Sequence, residues 1–362
     1  MMLTYYVVAF VLLLFCFLDA YAHSKYMQPA YLFIGFVILA CMAGFRGFWF
    51  TDYGNYVGIY GETVHLYDFL YYGGNPPRIH GEFLYLFLNT LVKTFFDSSI
   101  PVFVIVAALA VGLNCVAFKK FSPYPLLSLL WYFSHLFLYK ELIQIRAGLA
   151  SAIVLCSVYF IVHKKPLQYT VAIILAFLFH VGAIIALPVY WVCKKDFGKK
   201  MLFFPLIVGF ALGLTSWLDS FLNLMGAANV LPQKLAWYQE TYSDDALGVL
   251  NPMTLKQLFF CFFLVGSKEI LKTKFKYFYP IMVMYILSTA WLFALQEIPI
   301  LAARIATFLS AGDPVVIAFL ISLFKEKKVV SMGIAFLSIV ILFMNLELRQ
   351  HWVEYHVIFD FF

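Results

Sequence analysis

Apolar residues run along this chain in long unbroken stretches separated by short polar loops. Ten stretches read as membrane-spanning helices: Leu3–Leu18, Met27–Phe45, Pro101–Phe118, Pro125–Tyr139, Leu142–Val162, Met201–Leu218, Leu255–Leu271, Phe278–Leu295, Ile300–Phe324 and Val329–Leu346. Each approaches the roughly 20 apolar residues that a helix needs to cross the hydrocarbon core. None alternates with a period of two, so a β-barrel is excluded. The first stretch has a signal-like Ala20-Tyr21-Ala22 behind it but no Lys or Arg before it, so it reads as an uncleaved span. Two further segments are apolar but irregular. Glu82–Phe96 is short and contains Asn89 and Lys93, and Leu167–Val192 is interrupted by His180-Val181-Gly182 and by Pro188.

Lysine orders these segments. The clusters Lys119-Lys120, Lys164-Lys165, Lys194 to Lys200, Lys272 to Lys276 and Lys325 to Lys328 all belong on the cytoplasmic side. Counting spans then gives two conflicts. Lys164 and Lys194 both belong inside, with one apolar segment between them. Residues 46–81 and Asp97 both belong outside, with Glu82–Phe96 between them. Both conflicts vanish if the two irregular segments dip into the membrane and return. Broken helices at that depth are tolerated where they line a cavity inside protein. The competing reading makes both plain spans and lets the lysine rule fail twice.

Composition narrows the class. The chain is 64% hydrophobic and 12% charged, with mean hydropathy +0.89, against roughly 25% charged residues in a soluble domain. A soluble globular fold, a disordered chain and a disulfide scaffold are excluded. The expected fold is all-α, a single transmembrane domain over residues 1–362 with about 10–12 helices and outer loops at 46–81 and 219–254. The net charge of +6 comes from loop lysines, so it does not argue for a nucleic-acid partner. The six cysteines lack CxxC spacing and read as packing residues.

Arginine separates from lysine. Sixteen of the twenty lysines fall in or beside the cytoplasmic loops, while Arg46, Arg78, Arg146, Arg304 and Arg349 all fall on the outer half. Arg146 and Arg304 lie inside apolar stretches, where a cation needs a partner or a water-filled cavity. Guanidinium also suits bidentate phosphate binding. Structural ion pairs of Arg146 with Glu141 and of Arg304 with Glu297 are the plainer alternative. In the second outer loop Trp237, Tyr238 and Tyr242 could stack on sugar rings or lie in the interfacial belt, as Trp49, Trp191, Trp217 and Trp352 would.

Five short patterns stand out: Phe45-Arg46-Gly47 with Thr51-Asp52-Tyr53 and Tyr56; Gly81-Glu82-Phe83 with Asn89; Gln144-Ile145-Arg146-Ala147-Gly148-Leu149-Ala150; Phe179-His180-Val181-Gly182; and Arg304 followed by Gly312-Asp313-Pro314. In order and spacing, over residues 45 to about 310, this set resembles the EpsG-like (Wzy-type) family of bacterial polysaccharide polymerases. It departs at Ala147, where that family usually carries Gln. The resemblance implies a membrane-embedded glycosyltransferase of the cytoplasmic (inner) membrane, with its site facing outward. Its substrate would be an undecaprenyl-diphosphate-linked oligosaccharide, the growing glycan passing from its lipid diphosphate to a new lipid-linked repeat. A flippase and a chain-length regulator are the implied partners. No cofactor or metal is expected, because no Gly-rich phosphate loop and no Asp-x-Asp is present.

That chemistry needs cations for a diphosphate leaving group and a base for an acceptor hydroxyl. On this reading Arg46, Arg146 and Arg304 bind the diphosphate. His180 is the base or a diphosphate donor, with Asp52 or Glu82 as the rival base. Tyr53, Tyr56 and Asn89 shape the acceptor site. Three other classes remain open. A ligase would use the same donor with another acceptor. A flippase would show polar residues in both halves and repeat symmetry. A membrane O-acyltransferase would rest on His180 alone.

Overall fold

The computed structural model describes residues 3–22, 27–47, 50, 52–76, 79–215, 217–227 and 251–347. Arg78, Arg349, Trp237, Tyr238 and Tyr242 lie outside the described residues, as does most of the 219–254 loop. The described residues form an all-helical, multi-pass membrane protein. Six helices are long and apolar enough to cross a membrane: Leu3–Tyr21, Met27–Gly44, Ile100–Phe121, Ile145–Val162, Pro299–Ile321 and Lys327–Glu347. A bent pair, Lys199–Gly213 with Trp217–Gly226, could add a seventh. The remaining apolar stretches are shorter or broken, where Pro, Gly and a π-segment interrupt the ladder.

In chain order the helices are α1 (Leu3–Ala22), α2 (Met27–Gly44), α3 (Tyr53–Glu62), α4 (Leu66–Tyr72), α5 (Phe83–Phe95), α6 (Ile100–Phe121), α7 (Pro125–Tyr132), α8 (Leu138–Lys140), α9 (Ile145–Val162), α10 (Pro166–Phe179), α11 (Val189–Val192), α12 (Lys199–Gly213) and α13 (Trp217–Ala227). They continue as α14 (Pro252–Gly266), α15 (Lys268–Lys274), α16 (Phe278–Ala294), α17 (Pro299–Leu309), α18 (Asp313–Ile321) and α19 (Lys327–Glu347). The π-helical turn Phe133–Phe137 joins α7 to α8, and a 3₁₀ turn at Ser310–Gly312 joins α17 to α18.

Burial separates centre from rim. The α17–α18 stretch is 83% buried, whereas α1 is 28% buried. The large apolar side chains left exposed on the rim, such as Phe10, Phe33 and Phe336, face outward from the bundle, where lipid solvates them at no cost. Without a hydrophobic drive between helices, packing relies on close backbone approach. Gly209 and Gly213 supply it where α12 meets α16. A Cβ on Gly209 would lie 2.4 Å from the carbonyl oxygen of Ala290, and one on Gly213 would lie 2.3 Å from that of Phe293. All six cysteines are free: Cys16, Cys115 and Cys261 lie in the core, Cys156 and Cys193 are half-buried, and Cys41 is exposed.

The lysine-bearing loops meet at one end. Lys268 Nζ donates to Phe197 O at 2.7 Å and pairs with Asp196 at 2.7 Å. Lys199 Nζ donates to Gly266 O at 2.7 Å. One cleft joins Lys120 to residues 272–277, and another joins Asp19 and Pro123 to Lys327 and Lys328.

The two irregular segments differ: one folds back on itself, and the other is a single short helix. Residues 166–192 form a hairpin whose two feet stand at the lysine-bearing end and whose apex is His180. Tyr169 OH, on the outgoing arm, donates to Ala186 O at 2.5 Å on the returning arm, and its ring packs 5.5 Å from Tyr190. At 1.5 Å per residue the 14-residue α10 rises about 21 Å, short of the roughly 30 Å hydrocarbon core. α5 is tied to α9 at its start and to α3 at its end. Its N-cap Glu82 meets Arg146, and Lys93 Nζ donates to Gly61 O at 2.6 Å while Tyr60 OH donates to Phe96 O at 2.5 Å. Thirteen residues reach about 20 Å, so α5 does not span.

Candidate functional site

The half of the bundle opposite the loop lysines gathers buried polar side chains. Arg46 follows the last turn of α2, where its Nη1 donates to Ala43 O at 2.7 Å and closes the helix end. Its guanidinium lies 4.5 Å over the Phe103 ring and 5.8 Å from the Tyr53 ring. It is 1% exposed, and its Nε and Nη2 are buried with no hydrogen-bond partner. Each orphaned donor carries a desolvation cost that a bound anion would relieve.

Arg146 stands in the first turn of α9. It forms an ion pair with Glu82 and lies 5.6 Å and 5.5 Å from the Tyr56 and Tyr85 rings. Its Nε is also buried without a partner. Tyr56 sits 5.8 Å edge-on to Tyr85 and 6.5 Å from Phe103, so one aromatic wall serves both arginines. The tyrosines are therefore a cage around the guanidiniums, which cation–π attraction stabilises. Asn89 is fully buried one turn below Tyr85 and donates to its carbonyl at 2.7 Å. Asp52 occupies the N-cap position of α3, and its side chain makes no capping bond.

His180 caps the 3₁₀ turn Val181–Ala186 at the hairpin apex, its Nδ1 accepting the Gly182 amide at 3.1 Å. Its ring lies 5.2 Å from Phe308, one turn beyond Arg304 on α17. α17 packs against both this turn and α9, so Arg304 and His180 sit on elements adjoining Arg146. The ion pair of Arg146 with Glu141 does not form. Arg146 pairs with Glu82 in place of Glu141, and Glu297 accepts the Leu218 and Asp219 amides at 3.3 Å and 3.0 Å.

Glu141 instead belongs to a turn between α8 and α9. It accepts Tyr132 OH at 2.6 Å, and the neighbouring Lys140 Nζ donates to Ser151 Oγ at 3.1 Å and to Thr307 O at 3.2 Å. That last bond ties this turn to the Arg304 helix. Gly148 makes room for it: a Cβ there would lie 2.5 Å from Lys140 O and 2.8 Å from Glu141 Oε2. Gly148→Ala is expected to destabilise the purified protein by about 1–3 kcal/mol, seen as a lower melting temperature. An unchanged melting temperature would mean that the turn is free to move.

A second network was not assigned from sequence. Asp313, at the start of α18, accepts Trp131 Nε1 at 2.8 Å and Tyr285 OH at 2.6 Å, with Lys256 Nζ at 3.5 Å and His135 Nε2 at 3.9 Å. Lys256 and His135 touch at 2.7 Å. Signals for it existed. Gly312-Asp313-Pro314 interrupts an apolar run, and Lys140 and Lys256 are two of the few lysines off the lysine-bearing end. His135 lies in the π-turn, a feature common at functional sites.

These features define a class: a polytopic helical membrane protein with a caged, cation-rich polar site in one half and a re-entrant hairpin beside it. Over residues 29–357 the chain matches the EpsG family, and it belongs to that family. It is 24% identical over 335 residues, 88% of each chain, to the amylovoran biosynthesis protein AmsC of Erwinia amylovora. No solved structure matches it.

Proposed function

We propose that this protein polymerises lipid-linked oligosaccharide repeats in exopolysaccharide synthesis at the outer face of a bacterial inner membrane. The observation that carries this reading is the surplus of buried guanidinium donors at Arg46 and Arg146, three nitrogens with no acceptor. An anion with several oxygens, such as a diphosphate, suits them. Family membership and a relative named for amylovoran biosynthesis support the substrate class.

In the proposed reaction an acceptor hydroxyl oxygen attacks the anomeric carbon of the donor glycan. The bond from that carbon to the diphosphate oxygen breaks, and the lipid diphosphate leaves with the electron pair. Arg146 and Arg304 take its charge, and Arg46 backs them from beneath. Glu82 holds Arg146 until the diphosphate replaces it. His180 acts as a donor: with Nδ1 accepting the Gly182 amide, the neutral ring presents Nε2–H. Asp52, free of capping duty, takes the hydroxyl proton. Tyr53 and Tyr56 shape the acceptor side by walling the arginines, and Asn89 supports Tyr85 from below. The polyprenyl tail lies in lipid between the rim helices.

Deleting the gene and separating surface glycans and lipid-linked oligosaccharides by size tests this. Single repeats on the surface with no ladder above them are the expected result. Unattached long lipid-linked polymer would mean a ligase. Single lipid-linked repeats confined inside the cell would mean a flippase, and the roles above would fall.

A further inference from the structure

We infer that the lysine-bearing end carries a site for the phosphate of an anionic phospholipid, in the cleft between the end of α6 and the α15–α16 connection. The cleft encloses about 460 Å³ and is lined by Lys120, Lys272, Lys274, Lys276 and Tyr277, with no carboxylate in its wall. Its lysines are not equivalent. Lys272 is committed to Asp196. Lys120 Nζ lies 3.6 Å over the Tyr159 ring and Lys276 Nζ 4.8 Å over the Tyr277 ring. A ring face satisfies an ammonium only in part and leaves N–H groups for an oxygen acceptor.

The second observation lies in the wall of the cleft. Tyr277 is 3% exposed, and its hydroxyl is buried with no hydrogen-bond partner. An unpaired buried hydroxyl is costly unless an acceptor reaches it. A phosphate in the cleft would accept from it and from the lysines above. The position favours a lipid source. α6 is a full membrane span and the cleft sits at its end, at the depth where head groups lie. Phe121 forms part of the same wall, giving the head of an acyl chain an apolar surface.

The test uses the purified full chain in non-ionic detergent. Melting is followed against added dioctanoyl phosphatidylglycerol, dioctanoyl phosphatidylcholine or inorganic phosphate. Phosphatidylglycerol is expected to raise the melting temperature in a saturable way, phosphatidylcholine to leave it unchanged, and inorganic phosphate to act only far above the lipid's range. Tyr277→Phe and Lys274→Gln should each raise the half-saturating phosphatidylglycerol concentration by about tenfold, the loss of one bond to a charged group. Lys274 is exposed, so its variant folds even if the tyrosine variant does not. The double variant Lys164→Gln/Lys165→Gln, on a neighbouring loop, should match wild type. Equal stabilisation by the two lipids, an equal loss in the loop control, or equal potency of inorganic phosphate would each overturn the inference.

Discussion

Cells carrying Arg146→Ala in place of the native protein are expected to make no glycan ladder above a single repeat while the protein still accumulates in the membrane. Arg146 is the partly exposed guanidinium of the cage, and its side chain reaches the surface more than that of Arg46 does. Removing a preorganised group that meets developing charge costs about 10²–10³ in rate, enough to erase a ladder that needs many successive transfers. Arg146→Lys keeps the charge but loses the planar fork, so only short ladders are expected. Glu82→Gln separates two roles for the carboxylate. As counter-ion of Arg146 its loss leaves measurable polymer; as the base it would leave none. Wild-type ladders from Arg146→Ala would remove the cage from the reaction, and with it the diphosphate assignment.

The second large effect is expected on stability. Asp313→Ala strips the acceptor from Trp131, Tyr285 and Lys256 together in the core of the bundle. Breaking one partner of a buried charge network costs about 3–5 kcal/mol, because the remaining charge is left uncompensated. Low membrane accumulation and a sharp fall in melting temperature are the expected readouts. Pairing it with Lys256→Met removes the stranded cation and should recover part of the loss. If the double variant were no better than the single, Lys256 would not be the group that Asp313 neutralises. The network joins α7, α14, α16 and α18, so it fixes the helices that continue into α8 and α17, which carry Lys140 and Arg304, without touching either residue.

The linear chain determined the class of this protein, because lipid solvation leaves its mark on every residue of a span. Long apolar runs, lysines confined to particular loops and arginines set apart from them are local, one-dimensional signals. The fold-back of residues 166–192 was legible for the same reason: parity along the chain is a counting argument, and the hairpin apex falls at His180. Arg46, Tyr53, Tyr56, Glu82 and Arg146 also stood out, since polar residues in apolar surroundings are conspicuous.

Only the tertiary structure decided who pairs with whom. Arg146 reaches 64 residues back to Glu82 and ignores its near neighbour Glu141, and Asp313 finds partners 182 and 28 residues away. Pairing in a membrane bundle is set by the rotation and depth at which helices pack, which depend on small residues such as Gly148 and Gly209 and on caps and breaks. Periodicity in a helix that is apolar all round carries little record of that rotation. Hydropathy therefore reveals which residues are buried in the membrane, while the contacts between helices settle which of them meet.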